Sequence, residues 1–215
     1  MNFGSNGGSS KYTLQPGTYP ATISKMVGIG IQKNEYEGEI KYPNQCIIEW
    51  TTDEKTEENE RLTVWSFLAI SLHEKSTMLK MIKGVSEKTI DADAIARIEE
   101  SQCLGHLVGR SALINVEHTS GGNAKVTGYS RMIASITPPE VEEDNRVYFD
   151  FDLWLEAGAD AVPEVPKHFL KFIARAENCP IEIMENIGAI VAESNQDKPQ
   201  EITSDIVDDP GEIPF

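Results

Sequence analysis

Residues 45–52 (QCIIEWTT) and 61–69 (RLTVWSFLA) are the two stretches that decide the fold. Both are rich in β-branched and aromatic residues, which favour β-strands. The segment between them, residues 53–60 (DEKTEENE), is short and charged, as a connecting turn would be. The sequence therefore predicts a β-hairpin at the centre of the chain.

The flanking sequence adds strands on both sides of this hairpin and a helical connection after it. Further strands are predicted at residues 18–26, 111–117 and 124–136, helices at 71–85 and 91–100, and a long, partly hairpin-like loop at 28–44. The resulting order, β-β-β-α-β-β, predicts a mainly β chain. It is the order of an OB-fold-like five-stranded Greek-key barrel with an inserted helix, although other small barrels share it.

Charge is divided unevenly along the chain. The formal net charge is −16, but residues 1–139 carry 16 acidic and 14 basic side chains, whereas residues 140–215 carry 19 acidic and 5 basic ones. Most of the negative charge therefore lies in the C-terminal third. Because residues 1–139 are nearly neutral, the net charge of the chain does not exclude a nucleic-acid partner for them. A simpler interpretation is that the acidic tail only keeps the protein in solution.

Four segments follow from these patterns. We predict a flexible N-terminal arm at residues 1–10, a barrel domain at 11–139, an acidic-aromatic segment with short helices packing on the core at 140–192, and a disordered acidic tail at 193–215. Three widely spaced cysteines, Cys46, Cys103 and Cys179, predict reduced thiols. With no signal peptide and no apolar run of about 20 residues, the chain is expected in the cytoplasm.

The last eight residues are typical of a ligand rather than of a folded element. Acidic side chains precede two apolar residues and two prolines, and the segment is too poor in apolar area to order itself. The predicted partner-binding residues are Asp208, Asp209, Glu212, Ile213, Pro214 and Phe215. An apolar pocket rimmed by Arg or Lys would suit them. Acidic residues followed by Ile-Pro-Phe resemble the tail of bacterial single-stranded DNA-binding proteins, and several phage counterparts also end in acid plus Phe.

The resemblance implies an OB-fold that coats single-stranded DNA in a bacterial host and recruits replication, recombination or repair proteins. Such binding requires aromatic rings that stack on bases and cations that follow the phosphates. Leu62, Val64 and Leu68 share one face of their strand, and Trp65 and Phe67 share the other. The predicted contacts are Trp65, Phe67, Trp50, Tyr36, Tyr42, Lys33, Lys41, Arg110, Lys125, Tyr129 and Arg131. Each ring could instead pack under a loop or under the C-terminal helices, and Trp50, which shares a face with Cys46 and Ile48, could lie in the core.

No catalytic residue, metal ligand or cofactor is predicted, because the four histidines are scattered and no phosphate-binding glycine loop is complete. Two other functions stay open: a phage structural or assembly module with a solubilising tail, and a metal-dependent nuclease using Asp150 and Asp152. Clustered carboxylates are more often a solvated face. Residues 148–154 are interpreted as an occupant of the DNA groove, an extra strand, a packed extension or an oligomer contact.

Overall fold

The computed structural model describes residues 13–36, 38–101, 104–151, 153, 156 and 167–196, and strands dominate this part of the chain. The strands are β1 (Gly17–Ile31), β2 (Asn34–Tyr36), β3 (Glu39–Lys41), β4 (Asn44–Lys55), β5 (Arg61–Ala69), β6 (Ser111–His118), β7 (Ala124–Ser130) and β8 (Val147–Phe149). The α-helices are α1 (Thr77–Val85), α2 (Ala92–Ser101), α3 (Lys167–Ala174) and α4 (Ile181–Gln196). The prediction of a mainly β chain is confirmed.

Five strands form a strongly curled, antiparallel half-barrel in the order β5-β4-β1-β6-β7. The long central strand β1 pairs with both β4 and β6, and β8 runs parallel to β1 beside residues 25–27. The end strands β5 and β7 lie against each other, and Tyr129 on β7 donates a hydrogen bond to Ser66 Oγ on β5 (3.2 Å). Helix α1 packs across β5, β6 and β7.

The concave face of the sheet encloses the main hydrophobic core, which we call the inner core. Its buried side chains include Cys46, Ile48 and Trp50 of β4, Met78, Met81 and Ile82 of α1, and Ala112, Ile114 and Val116 of β6. The period-two alternation of apolar residues had predicted that these three residues of β6 share one face of their strand. Helix α1 begins at Thr77, later than predicted, because Ser76 Oγ accepts a hydrogen bond from the amide of Leu79 (3.1 Å) and caps the helix there.

A second hydrophobic core, the outer core, lies on the convex face, where α3 and α4 cover the sheet. The sheet contributes Val27, Ile29 and Ile47, and the helices contribute Phe169, Leu170, Ile173, Ile183 and Ile187. All eight side chains are at most 1% exposed. Their spacing in the helices places them on one stripe of each, as expected for helices that pack on a sheet.

Two predicted strand boundaries differ from the structure. The first strand continues to Ile31, with a register shift between Gly28 and Gly30, and the rest of the loop contains the hairpin β2–β3, in agreement with its predicted partly hairpin-like character. The last predicted strand stops at Ser130, because the apolar residues beyond it do not pack on the sheet; Ile133, for example, is 54% exposed. Residues 147–149 form β8, so for this part of the acidic-aromatic segment the structure shows the extra strand that was one of the open interpretations.

Candidate nucleic-acid interface

Trp65 and Phe67 lie on the convex face of β5, the side that the alternation predicts, but α3 covers them in part. The ring centroids of Trp65 and Phe169 are 4.2 Å apart in an edge-to-face arrangement, and Phe67 lies 6.4 Å from Phe169 and 5.4 Å from Phe172. Both β5 rings are half-buried. They pack under a C-terminal helix, which is the alternative that the sequence left open, and they offer only part of their surface to a base.

Trp50 requires a correction, because its ring is fully buried in the inner core beside Cys46 and Ile48. Its Nε1 donates a hydrogen bond to Ser66 Oγ (3.2 Å), and its ring centroid lies 5.6 Å from that of Tyr129. Burial raises the pKa of Tyr129 to about 12, although the hydrogen bond with Ser66 opposes the shift. Trp50 therefore cannot stack on a base, and Tyr129 serves to hold β7 against β5.

The hairpin β2–β3 and the residues beside it hold three predicted contacts in exposed positions. Tyr42, one residue after β3, is 55% exposed, and Lys33 and Lys41 are exposed at the open end of the hairpin, where Asn34 pairs with Lys41. Lys41 Nζ lies 3.4 Å from the carboxylate of Glu39, and an exposed pair of this kind is weak. The side chain of Tyr36 lies outside the described residues. The hairpin thus offers one aromatic ring and two cations.

Arg110 and Arg131 come together around the segment that follows α1. Arg131 Nη2 donates a hydrogen bond to the carbonyl of Lys88 (2.8 Å), and Arg110 Nη1 lies 3.7 Å from the carboxylate of Glu87. Arg110 and Lys88 also line an open cavity of about 410 Å³ between α1, α2 and the start of β6. Lys125 is exposed near the start of β7. The predicted cations are therefore distributed among three places rather than along one groove.

Polar contacts at the end of β1 hold the α3–α4 connection against the sheet. The amide of Ile31 donates to Asn178 Oδ1 (2.7 Å), and the amide of Glu177 donates to the carbonyl of Ile31 (2.9 Å). Gln32 is buried, and its Nε2 donates to the carbonyl of Phe172 (3.1 Å). Sequence reasoning missed these residues, because nothing local in the sequence links them across 140 positions.

Gly30 is the one signal that could have marked this attachment. Its φ is +71°, a left-handed conformation that side chains disfavour, and a Cβ added there would lie 2.6 Å from Asn178 Oδ1 and from the ring of Phe151. Such a close approach requires glycine. The sequence analysis placed Gly30 in a loop, whereas it lies within β1 where the C-terminal segment meets the sheet.

The carboxylate of Asp150 serves a local structural purpose. It accepts hydrogen bonds from the hydroxyl of Tyr148 (2.7 Å) and from the amide of Leu153 (2.8 Å). Asp152 lies outside the described residues. In the described part of the chain, no three or more His, Cys, Asp or Glu side chains are grouped to hold a metal ion.

Several predicted features fall where the structure describes nothing. Asp208, Asp209, Glu212, Ile213, Pro214 and Phe215 lie outside the described residues, as do the N-terminal residues 1–10 and Trp154. Among the helices that are described, none is long and apolar enough to cross a membrane.

Comparisons with known proteins assign no family. A scan against models of protein families finds no match to this chain, and a search of curated proteins finds no match either. We therefore base a functional proposal on the strand order, on the exposed hairpin and on the chemistry of the C-terminal residues.

Proposed function

We propose that this protein binds single-stranded DNA without sequence preference and recruits replication, recombination or repair proteins through its acidic C-terminal residues. The observation that carries the proposal is the strand order β5-β4-β1-β6-β7, with α1 between β5 and β6 and with β5 lying against β7. An OB-fold requires this order, and OB-folds bind oligonucleotides across their second and third strands. Fold alone does not give function, so the surface must supply the contacts.

DNA binding on this protein leaves α3 and α4 in place. Releasing the helices would expose Val27, Ile29 and Ile47, which are fully buried, at about 1.5–3 kcal/mol for each side chain. Stacking on Trp65 and Phe67 would return about 1–3 kcal/mol per base. Three aliphatic side chains thus cost about 4.5–9 kcal/mol, whereas two bases return about 2–6 kcal/mol, and exposing the helices' own apolar side chains adds to the cost. We place the DNA on the surface that the helices leave open.

The hairpin β2–β3 supplies the contacts on that open surface. It connects the first and second strands of the half-barrel, β1 and β4, and in an OB-fold this loop flanks the binding face. Tyr42 offers a ring for stacking, Lys33 and Lys41 offer charge to phosphates, and Trp65 and Phe67 offer the exposed parts of their half-buried rings. Lysines contact phosphates and do not read bases, so the binding tolerates any sequence and weakens with salt.

Fluorescence anisotropy of labelled oligo-dT, titrated with the full chain at several salt concentrations, tests the proposal. Tyr42→Ala should weaken binding by about 1–3 kcal/mol, because one stacking ring is lost. Lys41→Gln should lower the slope of log K against log salt by about 0.7, the effect of one phosphate contact. Lys75→Gln, an equally exposed lysine before α1, is the matched control and should change neither quantity.

A structural or assembly module is the second candidate, and the covered convex face favours it. Trp65 and Phe67 pack against Phe169 and Phe172 of the same chain, so the rings that would face DNA contribute to the outer core. Such a module would not bind oligo-dT. A folded chain that shows no anisotropy change at low salt would therefore refute DNA binding and favour this alternative.

A further inference from the structure

The cavity beside α1 combines an aliphatic lining with a cationic rim. Its apolar lining comes from Ile82, Val85, Ile90, Ile98 and Leu107. A volume of about 410 Å³ is within the range of ligand pockets, and it exceeds the volume of one phenyl ring several-fold. Lys88, Arg110 and His106 contribute polar groups to the same cavity. A ligand that fits must therefore have an apolar part and a negatively charged part.

Two hydrogen bonds hold the segment that forms the rim of this cavity. Arg131 binds the carbonyl of Lys88, and Ser86 Oγ donates a hydrogen bond to the carbonyl of Ile82 (2.6 Å), so residues 86–88 are held at both ends. Arg110 lies 3.7 Å from Glu87, a distance at which an exposed ion pair is weak, and its guanidinium has five donor hydrogens in all. A preformed rim lowers the entropic cost of binding a ligand.

We propose that the cavity binds the acidic and apolar segment of this same chain, residues 208–215. The Phe215 side chain fills the aliphatic lining, and the carboxylates of Asp209 and Glu212 lie at Lys88 and Arg110. The segment has the two properties that the cavity requires, apolar side chains and negative charge in adjacent positions. The contacts in this assignment are made by side chains of the segment, and they do not require that the protein bind DNA.

A nucleotide fits the same cavity less well than the peptide does. Bases of single-stranded DNA are bound mainly by stacking on aromatic rings, whereas the apolar side chains that line this cavity are aliphatic. An aliphatic pocket is suited to a phenyl ring or a branched side chain of a peptide.

The connecting chain is long enough for binding within one molecule. Helix α4 ends at Gln196, and the eleven residues 197–207 span at most about 40 Å. This length is more than twice the radius of gyration of about 17 Å expected for a folded domain of this size. Tethering provides an effective concentration near the millimolar range, and modest intrinsic affinity is then sufficient. A partner protein must compete with the cavity for the segment.

Photo-crosslinking in the full chain tests the assignment. With p-benzoylphenylalanine in place of Phe215 and the protein kept dilute, we expect intramolecular crosslinks to residues 82–90 and 98–110, located by mass spectrometry. Adding Lys88→Glu and Arg110→Glu should lower the crosslink yield about fivefold, because two attractive contacts become repulsive. Lys75→Glu and Lys80→Glu change charge equally at exposed positions that do not line the cavity, and this control pair should leave the yield unchanged.

Other outcomes would overturn the assignment. Crosslinks to other parts of the chain would show that the segment does not bind here. A crosslink yield that stays unchanged in the variant with both cavity substitutions would show the same. Crosslinks only between two copies would assign the segment to a second molecule. If oligo-dT abolishes the crosslink and itself crosslinks to residues 82–110, the cavity is a nucleic-acid site. Hydrogen exchange of the chain without the label is a second measurement: Phe215→Ala should speed exchange in residues 82–90, and an unchanged rate would contradict the proposal.

Discussion

The inner and outer cores cover the two faces of one sheet, but they are assembled from different parts of the chain. The inner core is closed by strands and by α1, which follow one another within residues 14–126. The outer core is closed by α3 and α4, which lie more than 100 residues after the β4 side chains that they cover. Alternation within a strand tells which face a side chain occupies, but it does not tell what covers that face.

Phe169→Ala is the substitution that should separate the two cores most clearly. Phe169 is fully buried between Trp65, Phe67 and the sheet, so we expect a loss of about 3–5 kcal/mol in the free energy of unfolding. Hydrogen exchange should accelerate in α3 and α4, while β1, β4 and β6 stay protected. Urea unfolding followed by circular dichroism measures the first effect, and exchange by mass spectrometry measures the second.

The inner core provides the matched comparison for this variant. Ile48→Ala removes a fully buried side chain on the inner-core face of β4 and should lower the free energy of unfolding by about 2–5 kcal/mol. Its effect on exchange should extend over every strand, because the inner core holds the half-barrel together. If Phe169→Ala also exposes all strands, the two cores form one cooperative unit and the distinction between them fails.

Local pattern predicted the strands and their faces, and distant contacts explain what it missed. Ala112, Ile114 and Val116 alternate with polar residues, so their burial follows from the period of a strand. Trp65 follows the same rule and was assigned correctly to the convex face. Its partner Phe169 lies 104 positions later in the chain, and no periodicity carries that information. Tyr42, beside the hairpin, is 55% exposed, so its predicted contact with a base stays a prediction that its position allows.

Gly30→Ala should weaken the attachment of the outer core by a smaller amount, roughly 2–3 kcal/mol. An alanine at φ +71° costs about 1–2 kcal/mol, and its Cβ would overlap Asn178 and Phe151, which adds the cost of overpacking. Gly122→Ala is the control, because Gly122 has φ +79° with no atom within 4 Å of the added Cβ. The difference between the two variants in urea unfolding isolates the contact with the α3–α4 connection. Equal losses would mean that only backbone strain was measured.

Tyr129→Phe affects the inner core and should have the smallest effect at neutral pH, about 1 kcal/mol, because one hydrogen bond to Ser66 is lost. Burial raises the pKa of Tyr129 from 10.0 to about 12, so the folded protein keeps the phenolic proton after the unfolded chain has released it. The stability that this tyrosine contributes is therefore complete below pH 10 and is lost between pH 10 and about 12, at about 1.4 kcal/mol per pH unit.

The pH dependence of the unfolding free energy distinguishes the loss of the phenol from the loss of a hydrogen bond alone. The variant lacks the phenol, so its unfolding free energy should fall less steeply above pH 10, and the two curves should meet near pH 11. Cys46 is buried with a pKa raised to about 12, so the burial of its thiol affects both proteins alike, and its charge adds to the raised pKa of Tyr129. Urea titrations from pH 8 to 11.5 measure that difference. A gap that stays constant over this range would mean that Tyr129 is not held neutral between β5 and β7.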